Sequence, residues 1–204
     1  MGVRATYFIL VTSNNYNILS DHWCNVPRQL IALGHEVGLH YDVKFYQSPD
    51  AGPMSLLQSH VMLLGQLAGE PVRSISVHNP SISGQDIFRE AAGFINAYQA
   101  RFTSEISYFS DSCGAWRTQA VQSLQPGKLP PRMQLLTHPI FWAPQHADRW
   151  DRISQFVNQQ INLLRRQHEM ICNIWHAHSG VREHDQRQQQ SAQNKDKGKG
   201  GSGT

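Results

Sequence analysis

Gly34-His35-Glu36-Val37-Gly38-Leu39-His40-Tyr41-Asp42, residues 34–42, is the stretch on which the fold turns. Glu36–Tyr41 is a short, mostly apolar run ahead of an aspartate, which reads as a buried strand. The segment before it, Pro27–Leu33, opens on a helix-starting proline and closes on Gly34, so a helix leads into the strand. The strand then delivers His40, Tyr41 and Asp42 to its carboxyl end. Residues two apart on a strand face the same side, so His40 and Asp42 address one point.

Working outward, Arg4–Val11 (RATYFILV) is β-branched and aromatic and predicts an earlier buried strand. Ser55–Ala68 sets Leu56, Leu57, His60, Val61, Leu64 and Leu67 on one helical face, with Ser55 as the cap. Val72–Val77 reads as a third strand and Gln85–Ala92 as a short helix. Ile106–Phe109 and Met133–Leu136 are a fourth and a fifth strand. Asp148–Trp175 carries Ile153, Phe156, Val157, Ile161, Leu164, His168 and Ile171 at helical spacing, a long amphipathic helix. Apolar strands alternating with helices point to an α/β fold with a mainly parallel sheet. From Glu183 onward only Ala192 is apolar apart from glycine, so residues 1–181 are expected to fold and 182–204 to form a disordered polar tail.

Chemistry collects where these strands end. His40 and Asp42 close one, His78 follows the next, Asp111 follows SYFS, and His138 follows QLLT. In parallel α/β sheets and barrels the carboxyl ends form a common rim where ligands gather. Imidazoles with a carboxylate suit zinc or a similar divalent ion with a position left open for water. A histidine outside that shell can serve as general acid or base.

GVRATYFILVTS, LIALGHEVGLHYD, SVHNPS, YFSDSCGAWR and QLLTHP together resemble the polysaccharide deacetylase (NodB-homology) family of carbohydrate esterases, over most of residues 1–142. The resemblance implies an irregular (β/α) barrel that hydrolyses acetyl groups on sugars with a divalent metal, zinc first among candidates. It implies an acetylated carbohydrate as partner, His40 as the first metal ligand, and His138 as the catalytic acid. It makes Asp111 the group that orients a histidine or meets substrate, and it puts Arg117 in a loop lining the substrate site.

The chain departs from that pattern in two places. The family's opening strand ends in an aspartate pair, whereas no aspartate precedes Asp21, so the barrel is expected to lack its first strand. Either the chain begins inside a longer protein or it is a degenerate relative. The family's second metal histidine falls at Lys44, whose protonated amine cannot ligate. His78 or Asp42 would then substitute. Trp116, Phe141 and Trp142 flank the expected rim, as a stacking platform for sugar rings or as packing. A second reading keeps the fold and drops the catalysis, leaving a glycan- or protein-binding domain. A third keeps the metal chemistry but turns it on another C–N bond in a small molecule.

Other signals narrow the field. Lys+Arg 18 against Asp+Glu 15 leaves a formal +3, too slight for a nucleic-acid face. Cys24, Cys113 and Cys172 are sparse and unpaired in spacing, against a disulfide framework or a cysteine zinc site. No apolar run reaches the ~18–20 residues of a membrane span, and the opening does not read as a signal peptide, so a cytoplasmic location is expected. GxSxG, GxGxxG and P-loop patterns are all missing. His35, His60 and His168 read as structural, and Trp175-His176-Ala177-His178 with His184 as at most an adventitious metal binder. The oligomeric state is left open.

Overall fold

The computed structural model describes residues 2–47, 52–81, 86–116, 127–142 and 148–179. Arg117, His184 and the expected polar tail lie outside that set, as does Gln85. The chain gathers into two compact units, Met1–Ser110 with Trp116–Leu136, and Asp111–Ala115 with Thr137–Thr204. The fold is mixed α/β with parallel sheets.

In the first unit β1 (Thr6–Leu10), β2 (Glu36–Tyr41), β3 (Ser74–Val77) and β4 (Ile95–Asn96) pair in chain order, all parallel. A second parallel pair joins β5 (Ser107–Ser110) to β6 (Met133–Leu136). The helices of this unit are α1 (Val26–Ala32), α2 (Val43–Tyr46), α3 (Pro53–Ala68) and α4 (Ala100–Thr103). The register sets Leu10 beside His40, His40 beside Ser76, and Tyr41 beside Val77.

Side-chain alternation then sorts the sheet into two faces. Ile9, Val37, Leu39, Tyr41, Ile75 and Val77 form one core with Leu57, Leu64 and Ala68 of α3. Leu39, Leu57, Leu64 and Ile75 are fully buried, each contributing about 1.5–3 kcal/mol by leaving water. Thr6, Phe8, Glu36, Gly38, His40, Ser74 and Ser76 belong to the opposite parity, and hydroxyls from Thr6 and Ser74 donate to Glu36 at 2.7 and 2.6 Å. A Cβ on Gly38 would meet the Phe8 ring at 2.6 Å and Ser74 Oγ at 2.9 Å, so only glycine lets these three strands close up.

Helix ends follow local chemistry. Gly34 takes a left-handed φ of 84° and closes α1, with His35 N–H reaching back to Leu30 O at 3.0 Å, as the sequence leads one to expect. The start of α3 differs from expectation. Pro53 opens the helix after Gly52, because proline needs no intrahelical N–H partner, and Ser55 lies inside the first turn instead of capping it. The helix expected over Gln85–Ala92 is a run of turns across 87–90. Asp86 explains it: its carboxylate accepts from Phe88 N at 3.0 Å and draws the backbone into a turn. The two-residue β4 carries too short a pattern to be read in advance; Ala97 N–H continues its pairing to Ile75 O at 2.9 Å.

Behind the core face, Tyr46 of α2 meets His60 of α3, with the phenol oxygen 2.7 Å from Nδ1. His60 is thus a packed structural histidine, and burial lowers its pKa from 6.5. Burial likewise raises the Tyr46 phenol, which stays neutral. In the second unit the long helix, α5, runs Arg149–Ser179. His168 is exposed and does not pack in a core as its apolar neighbours in sequence suggested; its Nδ1 lies 3.0 Å from Leu164 O one turn back in the same helix. No helix among the described residues is long and apolar enough to cross a membrane.

Two outcomes follow for stability. Gly38→Ala should cost about 1–3 kcal/mol by overpacking and lower the melting temperature by several degrees. Gly2→Ala, with nothing within 4 Å of its Cβ, should leave it unchanged. For His60 the unfolded state binds the proton first, so its neutral native form is destabilised as pH falls below about 6.5. Urea titrations at pH 7.5 and 5.5 should therefore show an acid loss in the wild type that shrinks in His60→Asn. An equal loss in both would exclude His60 as its source.

Candidate functional site

The first unit brings two of the expected histidines together. His40 is the fifth residue of β2, and His78 follows β3 directly, on the parity of Ser76, which pairs with His40. Their rings stand nearly perpendicular, at 87°, with His78 Nδ1 3.1 Å from His40 Nε2. His40 Nδ1 lies 2.9 Å from Ser76 O, and a carbonyl can only accept, so the His40 proton sits on Nδ1 and Nε2 presents its lone pair. Asn79 Nδ2 approaches His78 Nε2 at 2.9 Å. The directional chain is then Asn79 to His78 to His40 to Ser76, every N–H donating to a lone pair. Asn79 itself holds a left-handed φ of 47°, which an asparagine tolerates better than most residues.

Such a pair has the right dimensions for two corners of a metal site. Metal–nitrogen bonds of ~2.0–2.1 Å at tetrahedral angles place ligand nitrogens about 3.3 Å apart. An imidazole tied through its other nitrogen to a backbone carbonyl is also how ligating histidines are oriented. The third corner is another matter. Asp42 turns its carboxylate to cap α2, accepting from Lys44 N at 3.0 Å. Among the described residues no three His, Cys, Asp or Glu side chains converge. In this arrangement His78 Nδ1 carries the proton that His40 Nε2 accepts, so an ion would have to replace that bond, and two imidazoles fall short of the three protein ligands of a catalytic zinc centre.

A second constellation lies in the other unit. Asp111, 6% exposed, follows β5 in sequence and holds His138 twice: Oδ2 accepts its backbone N–H at 3.0 Å and Oδ1 lies 2.6 Å from Nδ1. The imidazole side chain remains 42% exposed, so the carboxylate fixes the ring while Nε2 is the nitrogen left for chemistry. The expectation for Asp111 was to orient a histidine or to meet substrate, and the group it contacts here is His138. The Phe141 ring stands 6.1 Å from that of His138. The loop between Asp111 and Ala115 is tight. Cys113 has a left-handed φ of 63°, and Arg149 Nη1 donates to its carbonyl at 3.2 Å. The resemblance had pointed to the backbone around Cys113 and Gly114 as part of a substrate-lining loop, whereas Arg149 carried no signal in the sequence, because its bond depends on how the loop folds.

The aromatic candidates remain at the surface: Trp116 is 40% exposed and Trp142 53% exposed. Each belongs to a different unit. Lys44 is exposed on α2, and its backbone rather than its amine meets Asp42. His35 accepts from Ala5 N–H at 3.3 Å and packs edge-on against Tyr7, the structural role expected of it. Sequence reasoning missed Ser76, Asn79, Asp86 and Asn96. Asp86 and Asn96 form a buried network with Tyr41, in which Tyr41 donates to Asp86 and Asn96 Nδ2 reaches Tyr41 Oη at 2.9 Å. Burial, reinforced by the facing Asp86 carboxylate, holds the Tyr41 phenol far above the ordinary tyrosine range. The chain matches no family model, no curated protein and no solved structure.

The dyad yields a direct check. Asp111→Asn keeps one acceptor oxygen where two are used, so either the ring or the backbone bond is lost. We expect a loss of about 1–3 kcal/mol in stability. Long-range 1H–15N spectra should show the His138 ring moving from one tautomer to a mixture. An unchanged tautomer and stability would mean that the carboxylate does not hold the ring.

Proposed function

We propose that the chain is a hydrolase domain of the polysaccharide deacetylase type, cleaving acetyl groups from a sugar or glycan precursor. The observation that carries this reading is the Asp111–His138 pair at 2.6 Å, a carboxylate-oriented imidazole with its other nitrogen free of the carboxylate. In amide hydrolysis such an imidazolium delivers its Nε2 proton to the departing amine nitrogen, and the carboxylate stabilises the positive ring until transfer. His40 and His78 are the residues that would hold the divalent ion. When bound, that ion supplies Lewis acidity toward the acyl oxygen. Ser76 O keeps the His40 proton on Nδ1, and Nε2 accepts from His78.

The sheet order supports the same reading. Strands that join in chain order, each parallel to the last, build a sheet the way a (β/α) barrel grows, whereas a doubly wound sheet reverses direction at its first strand. An irregular (β/α) barrel is therefore the proposed architecture. Trp142 follows the turn after His138 and is the proposed sugar-stacking surface, with Trp116 and Arg117 as further substrate contacts.

One observation favours the second reading, a deacetylase-like domain that binds a glycan or a protein without catalysis. Asp42 is engaged in capping α2 and Lys44 stands in the place of a ligand, so an ion would depend on two imidazoles. Elemental analysis and zinc titration separate the two. The catalytic reading expects zinc or cobalt to bind at one ion per chain and His40→Ala to weaken that binding at least tenfold. Acetate release from acetylated chito-oligosaccharides should fall about 10²–10⁴-fold in His138→Ala with metal binding intact. If the wild type binds no metal and releases no acetate, the non-catalytic reading stands.

A further inference from the structure

Helix α5 carries an apolar seam that the described residues leave exposed. Trp150, Val157, Leu164 and Ile171 recur every seven residues, and Ser154, Ile161 and His168 each fall four residues after one of the first three. Steps of four and three in alternation are the heptad spacing of a helix whose seam is covered by another helix. In heptad terms Trp150, Val157, Leu164 and Ile171 take position d, and Ser154, Ile161 and His168 take position a. The apolar members of the seam are between 46% and 63% exposed. Ile153, Phe156, Gln160 and Leu163, at the neighbouring g and c positions, are instead half-buried, and α5 meets the Pro139–Phe141 turn of its own unit. The seam is therefore a second apolar face of the helix, separate from the packed one.

The residues beside the seam select its partner. Position e holds Asp151, Asn158 and Arg165, whereas position g holds Ile153, Gln160 and Gln167. In an antiparallel pair of identical helices the e positions of the two copies face each other. Setting Val157 against Ile161 of a second copy brings Asp151 to that copy's Arg165, and Arg165 to its Asp151. Asn158 then meets its own equivalent at the two-fold axis. The same register stacks Trp150 on His168 and Ser154 on Leu164, with every layer repeated by symmetry. A parallel pair faces e with g, where no opposite charges meet, and it sets His168 on His168 and Ser154 on Ser154. Among the described residues neither Asp151 nor Arg165 is in an ion pair within the chain, so both charges are open to a neighbour.

We propose that this seam of α5 docks on the same seam of a second copy of the chain, antiparallel, to form a two-fold dimer. Such a contact is self-complementary and closes at two copies. Removing Trp150, Val157, Ile161 and Leu164 of each copy from water supplies the affinity. The Asp151–Arg165 pairs lie at the rim, where charges set direction and register more than strength. The overlap, residues 149–169 of each copy, is about 30 Å long, so the interface belongs to the small, reversible class. No residue of the seam belongs to either histidine pair, and the dimer stands or falls independently of the hydrolase reading.

Sedimentation velocity on the full chain, over a wide range of micromolar concentrations, tests the proposal. The wild type should pass from monomer to dimer as concentration rises, with no larger species. Ile161→Lys puts a charge in the central layer and should raise the dimer dissociation constant at least about tenfold. Asp151→Arg and Arg165→Asp each set like charges face to face and should raise it about three- to tenfold. The double exchange, Asp151→Arg with Arg165→Asp, should return it to within twofold of wild type. Arg166→Glu, at the outward f position, should leave it unchanged. All four sites are exposed, so circular dichroism should show wild-type helix content in every variant. A wild type that stays monomeric throughout would overturn the proposal, as would a dimer indifferent to Ile161→Lys. A double exchange that fails to restore association would overturn the antiparallel register.

Discussion

The parallel register of β2 against β3 is the constraint on which the rest of the molecule depends. It sets His40 opposite Ser76 and Tyr41 opposite Val77. One further bond, from His78 N–H to Tyr41 O, carries the ladder past the strand and brings the second imidazole to the first. A slip of one residue would turn His40 toward the hydrophobic core and Leu39 away from it. Burial of Leu39, Tyr41, Ile75 and Val77 on one face therefore also holds the histidines to the other. Gly38 belongs to the same constraint, because its missing side chain admits Phe8 and Ser74.

From that register two kinds of polar structure grow. On the parity of His40, hydroxyls donate to the Glu36 carboxylate, and the acceptor-only carbonyl of Ser76 sets the direction of the imidazole bond. On the core side, Tyr41, Asp86 and Asn96 bury a carboxylate within a set of donors. The two lie one residue step apart along β2, His40 on one face and Tyr41 on the other. The Asp111–His138 pair follows a simpler rule: one carboxylate serves two donors of one residue, and backbone and ring are held together.

Much of this was legible in the chain. Alternating apolar strands and helices predicted the α/β class, and the five expected strands appear with ends shifted by at most two residues. Residues His40, His78, Asp111 and His138 were singled out because each stands where an apolar run stops. Two pairings among them emerged, His40 with His78 and Asp111 with His138. Asp42 shares the parity of His40 but spends its carboxylate on a helix cap, a local competition that strand parity does not weigh. Gln85–Ala92 looked helical because its composition is permissive, yet the Asp86 bond to a distant tyrosine determined a turn.

The sequence by itself determined where apolar segments lie, which residue types stand at their ends, and which glycines and prolines punctuate them. These are properties of single residues and near neighbours, carried by hydropathy, backbone freedom and capping. Which imidazole meets which nitrogen, which carboxylate is free, and what Tyr41 holds were decided only by tertiary structure. Those outcomes depend on contacts between residues 36, 45 or 55 positions apart, whose bonds exist only once the strands have chosen a common register.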